Sequence, residues 1–96
     1  MSMHMIVGAS LQVIGDGSSS SISVLLATAP LIFADPKPTD VFTLVSNLPS
    51  SIDFVSSRSG QSITYSYIAL TGLLTINYPT ALANNAFDTI NMILKF

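Results

Sequence analysis

Apolar and polar positions alternate with a period of two along most of this chain, the spacing of a strand with one buried face. In the first run Met5, Val7, Ala9, Leu11 and Val13 share one face, with Ser10 and Gln12 on the other. Ile22, Val24 and Leu26 then alternate with Ser21 and Ser23. "VFTLVSNL" places Phe42 and Leu44 together, and "SIDFVSS" sets Ile52 and Phe54 on one face against Asp53. In "ITYSYIALTG" the residues Ile63, Tyr65 and Tyr67 share a face, after which the apolar phase moves to Ile68 and Leu70. Such a slip predicts a β-bulge, or a strand passing between two environments. "LLTINY" is a further strand, and "FDTINMILKF" closes the chain with Ile90, Met92, Leu94 and Phe96 alternating against Asn91 and Lys95.

Turn chemistry separates these runs. "GDGSSSS", Gly15 to Ser21, supplies glycines for positive φ and an aspartate that can bond its own backbone, and it predicts a hairpin turn. It does not read as a phosphate cradle, because no Lys and no helix start follow. Nor is it a calcium loop, since one carboxylate stands where several oxygens at fixed spacing are needed. Pro30 interrupts the second run, "DPKPTD" (Asp35 to Asp40) is a stiff connection, and Pro49 and Pro79 stop two more ladders. "SRSGQS" is a turn around Gly60, and "TALANNA" alone has modest helical character. Seven to eight short strands at these intervals predict one all-β domain over 1–96, a small antiparallel β-sandwich, jelly-roll-like or immunoglobulin-like.

Composition sharpens this picture. Of 96 residues, 49% are apolar and only 8% charged, with no Cys and no Trp, against a usual charged share of roughly 25%. Disorder needs the opposite balance. A net charge of −2 and cations scattered at Lys37, Arg58 and Lys95 leave no track for a phosphate backbone or an anionic lipid surface. Residues 59–87 carry no charge, but polar residues and Pro79 interrupt them, and "IALTGLLTI" is about half the roughly 20 residues of a membrane helix. "MSMHMIVGASLQV" has no basic start and no long apolar block, so no signal peptide is expected.

Candidate chemistry is sparse. His4 is the sole imidazole and lies near the chain start between Met3 and Met5, a poor place for a preorganised base. One His, no Cys and five separated Asp make no recognisable metal set. Asp35 and Asp40, the nearest carboxylate pair, bracket prolines in a loop and read as a turn initiator and a solvated strand-start residue. Asp53 and Asp88 flank apolar strand positions and are expected to point outward, where either could pair with Arg58 or Lys95. No catalytic residue, cofactor or metal is therefore assigned, and no enzyme is expected.

Association is the expectation that remains. A domain of this size buries only about 60–65% of its extended-chain surface, and its edges have almost none of the Lys and Glu that blunt unwanted strand pairing. A homo-oligomer, or a subunit docked on a larger assembly, would cover that surface. The candidate interface residues are Tyr65, Tyr67, Ile68 and Leu70 around the phase slip, with Phe96 on the terminal strand. Tyr65 and Tyr67, two apart on one face, offer the alternative of an aromatic shelf for carbohydrate. A core or subunit contact with the hydroxyl at its rim is the plainer reading.

Two segments, "GDGSSSSISVLLATAP" and "LTGLLTINYPTALANNAFDTINMILKF", together resemble small bacteriophage virion structural proteins. The first is similar to their Gly-Asp-Gly, Ser/Thr-rich hairpin opening. The second is similar to their closing Thr-rich strand, proline break, "A-x-A-N-N" turn and final alternating strand. The resemblance covers somewhat under half the chain. It implies a capsid decoration (cement) protein or a tail-associated module in the virion, often oligomeric, with no catalytic residues to carry over. A whole fibre is not implied, because the chain has no collagen-like or coiled-coil repeat.

Overall fold

The computed structural model describes residues 6–33, 41–45 and 47–96. Among these residues eight strands run in order: β1 (Ile6–Ile14), β2 (Ser21–Leu25), β3 (Leu31–Phe33), β4 (Val41–Phe42), β5 (Ser51–Ser57), β6 (Thr64–Ile68), β7 (Leu73–Asn77) and β8 (Phe87–Lys95). They form two antiparallel sheets, one of five strands in the order β4-β3-β1-β8-β5 and one of three in the order β2-β7-β6. This is the expected small all-β sandwich. Its winding is nested: β1 pairs with β8 in the larger sheet, and β2 pairs with β7 in the smaller. The β1–β2 and β7–β8 connections therefore cross between the sheets side by side.

Alternation decides which residues meet. In the larger sheet Ala9, Leu11 and Val13 lie opposite Met92, Ile90 and Asp88, all on the inner face. In the smaller sheet the inward rows are Ile22–Ile76–Tyr65 and Val24–Leu74–Tyr67. One core cluster joins both sheets, with Leu31 added from β3 and Leu26 and Leu82 from the connections. Leu74, Ile76, Ile90 and Leu94 are fully buried, and each such side chain contributes roughly 1.5–3 kcal/mol by leaving water. The outer face of the smaller sheet is a ladder of small polar groups that ends in the apolar row Leu25–Leu73–Ile68. Ser21 Oγ donates to Asn77 Oδ1 at 2.6 Å, and the Ser23 and Thr75 hydroxyls are 3.1 Å apart. The chain's accessible surface is 5859 Å², against about 14,600 Å² for an extended chain of this mass, so about 60% is buried.

Four local expectations need correction. "GDGSSSS" makes a turn but no hairpin: β1 and β2 belong to different sheets, so the segment is an arch between them. The arch packs on the β7–β8 connection, with Gly15 N donating to Ala86 O at 2.8 Å and Gly17 N to Leu82 O at 3.0 Å. A Cβ at Gly15 would stand 2.4 Å from Leu82 Cβ and 2.5 Å from Ala83 O, so the close approach requires glycine. Second, "ITYSYIALTG" holds no bulge. β6 pairs with β7 in unbroken register from Thr64 to Ile68 and then turns, which leaves Leu70 at the turn.

Third, the bulge lies in β5, where the register to β8 shifts between Asp53 and Ser56. Phe54 takes φ 54° there and is 81% exposed, so it does not share the inner face with Ile52. The extra residue returns Val55 to the core side and brings Ser57 opposite the buried Ile90. Fourth, "TALANNA" is irregular rather than helical, and Asn85 turns through φ 64°. His4, Met5, Asp35, Lys37 and Asp40 lie outside the described residues.

Candidate functional site

Three places on the molecule gather the residues that carry chemistry or exposed apolar surface. The first is a buried carboxylate. Alternation in β8 continues inward past Leu94, Met92 and Ile90 to Asp88, which is 5% exposed. The outward position expected for it is wrong. Asp88 Oδ2 accepts from Tyr78 Oη at 2.5 Å and from Ser57 Oγ, while Oδ1 accepts from the amides of Ser59 at 3.0 Å and Thr89 at 2.9 Å. A buried charge without such donors would be costly. Burial pushes this carboxyl up, but the Ser57 and Tyr78 hydroxyls and the two amides outweigh it and hold it below the usual carboxylate range.

Tyr78 responds in the opposite sense. Burial first, then its bond to the Asp88 carboxylate, raises the phenol well above its ordinary value. A carboxylate already saturated with donors and held ionised is a weak proton acceptor. The cluster acts instead as a clamp, tying the start of β8 to the end of β5 and the exit of β7. The β5 bulge is what makes it possible, because it turns Ser57 inward.

The second place is the edge where the two sheets meet at β5 and β6. Tyr65 Oη donates to Ile52 O and Tyr67 Oη to Pro49 O, both at 2.8 Å. Both rings lie on the inward face of the smaller sheet, and their hydroxyls bridge the sheets. Burial raises the Tyr67 phenol. Ile68 and Leu70 are elsewhere: Ile68 faces outward in the row Leu25–Leu73–Ile68, and Leu70 is 92% exposed in the following turn. Phe96 is half-buried against the core beyond β8. The five candidate interface residues thus fall into four separate settings. Asp53 does pair with Lys95, at 2.5 Å and with both side chains about 40% exposed, where such a pair contributes little.

The third place is the outer face of the five-stranded sheet, which no sequence signal singled out. A groove of about 550 Å³ runs over Gly8, Ser10, Gln12, Thr89 and Asn91, with Phe54 and Arg58 on its rim. A second, of about 320 Å³, continues from Gln12 and Ile32 to Ile14, Val41 and Phe87. Ile14, Val41, Phe54 and Phe87 are all more than half exposed. Alternation could have found two of them: if Val13 and Asp88 face inward, Ile14 and Phe87 must face out. Phe54 had no such signal, because nothing in "SIDFVSS" marks the inserted residue.

On the β1–β2 arch, Asp16 Oδ1 accepts from the amides of Ser18 at 2.9 Å and Ser19 at 2.7 Å. The amide of Ser19 above all, then that of Ser18, lowers its carboxyl to about 2. These bonds are internal to the turn and close it. Among the described residues, no three metal-ligating side chains come together, and no helix is long and apolar enough to cross a membrane. Comparison with protein-family models, with curated proteins and with solved structures finds no match.

Proposed function

We propose that the chain is a non-enzymatic assembly protein whose work is done by its surfaces, which further copies of it or a larger protein shell or tail cover. The observation that carries this reading is Phe54. An aromatic residue is held in the left-handed region and leaves 81% of its surface in water. Non-glycine residues rarely occupy that region without a compensating use. Phe54 stands on the rim of the larger groove, and Ile14, Val41 and Phe87 continue the apolar surface beside the second. Ten large apolar side chains are exposed among the described residues, while the whole chain has eight charged residues. An apolar surface of this kind marks a contact region.

The resemblance to phage virion proteins extends the reading to a capsid decoration or tail-associated module. Its two segments pair through β2 and β7 and pack through the two inter-sheet arches, which supports treating them as one unit. The alternative of a carbohydrate module loses its main support, since Tyr65 and Tyr67 face inward with their hydroxyls bonded to backbone. Sedimentation at micromolar concentration tests the proposal. Species heavier than the 10.1 kDa chain are expected, and a clean, stable monomer would count against it.

A further inference from the structure

Edge strands need a reason to stay unpaired, and β2 has none. Its sequence Ser-Ile-Ser-Val-Leu contains no charge, no proline and no bulge, the devices that normally block edge-to-edge pairing. Elsewhere the edges are protected: β5 and β6 face each other across the tyrosine bridges, and β4 spans only Val41–Phe42.

The ladder shows which backbone groups of β2 are spare. Tyr78 N donates to Ser20 O and Leu26 N to Gly72 O. Hydrogen-bonded pairs in an antiparallel ladder recur at every second residue, so Ile22 and Val24 turn their backbone groups to β7. Ser21 and Ser23 turn theirs the other way, and among the described residues nothing receives them. Leu25 O is already taken by the amides of Thr28 and Ala29. The unused set is thus the N–H and C=O of Ser21 and of Ser23, both exposed, with the N–H of Leu25 beyond them.

We infer that β2 pairs with β2 of a second copy of this chain, antiparallel about a two-fold axis at Ile22. This rests on the assembly reading above and names the contact between copies. In that register Ser21 lies opposite Ser23 of the partner subunit, and the two exchange both backbone bonds. The symmetric pair does the same, so the spare groups of Ser21 and Ser23 satisfy one another. An isologous contact of this kind closes after two copies. The two three-stranded sheets become one six-stranded sheet whose outer face has Ser21 and Ser23 of both copies at its centre and the Leu25–Leu73–Ile68 rows to either side. Ile22, half-buried in the single chain, meets Ile22 of the partner subunit at the axis in a close non-hydrogen-bonded pair.

Amide hydrogen exchange and two variants test this contact. Ser23→Pro removes an edge donor without touching the β7 ladder, a place where proline is tolerated. It deletes two of the four bonds and is expected to weaken dimerisation by about 30-fold or more. A double variant, Ser21→Lys with Ser23→Lys, sets like charges directly opposite across the axis and is expected to yield monomer while the melting of the chain is kept. In the associated wild type the amides of Ser21 and Ser23 are expected to be protected, and on dilution to monomer they exchange freely, whereas those of Ile22 and Val24 stay protected throughout. If the wild type associates but both variants leave its mass unchanged and the serine amides exchange freely, the edge contact is wrong and the assembly reading stands. Protection of those amides only when a different protein is bound would also overturn it. A wild type that remains monomeric at every concentration removes both.

Discussion

Tyr78→Phe isolates the contribution of the buried clamp. The ring stays in the core and only the hydroxyl is lost, so no cavity forms. That hydroxyl donates to the Asp88 carboxylate at 2.5 Å, and a hydrogen bond to a charged group contributes about 1.5–3 kcal/mol. Asp88 keeps the donors from Ser57, Ser59 and Thr89, so the loss is expected within that range. Unfolding a chain of 96 residues carries an entropy of about 0.2 kcal/mol/K, which turns the loss into a fall in Tm of about 7–15 °C. The pH dependence distinguishes this from generic damage. The folded carboxyl sits below its unfolded value, so its stabilisation is fully present above about pH 4 and disappears as pH falls through the folded value. The gap between wild type and variant is therefore expected to shrink in acid. Thermal unfolding followed by circular dichroism at pH 7, 5 and 2.5 measures it. A loss under about 0.5 kcal/mol at pH 7, or a gap that widens in acid, would refute the clamp.

Other perturbations give independent expectations. Tyr78 is raised above its ordinary value, so its stabilisation holds below about pH 10 and is lost as pH rises further; alkaline melting curves should fall once pH passes that point. Gly15→Ala forces a methyl group into Leu82 and Ala83 and is expected to cost about 1–3 kcal/mol, read by urea unfolding. Phe54→Gly relieves the left-handed strain, worth about 1–3 kcal/mol, so the single chain should melt higher while association weakens. Asp53→Ala breaks an exposed ion pair with Lys95 and should change stability by under about 1 kcal/mol.

The first and last strands show what alternation can and cannot convey. β1 and β8 were readable from end to end because each holds an unbroken period of two, and their inward residues became the core. The same period carried Asp88 inward, yet its charge argued for solvent; of the four donors that make it tolerable only the Thr89 amide is a neighbour, and the other three come from the end of β5, the turn after it and the exit of β7, distant in sequence. The bulge at Phe54 was invisible for a different reason. One inserted residue between Asp53 and Ser56 changes the phase without changing the composition, so extrapolating from Ile52 placed Phe54 on the wrong face. "GDGSSSS" gave its local geometry correctly, as the Asp16 bonds to Ser18 and Ser19 show. Turn residues fix the backbone around themselves but not which strand the next one joins, and β2 crossed to the other sheet. Tyr65 and Tyr67 were placed on one face, but only the meeting of β5 with β6 revealed where their hydroxyls end.

The mass of the intact complex that holds this chain in its native source tests the central claim most directly. Several copies together, or a copy bound to a larger shell or tail, are expected. Recovery of the chain as a lone 10.1 kDa species, stable and soluble with its Phe54 face uncovered, would contradict it.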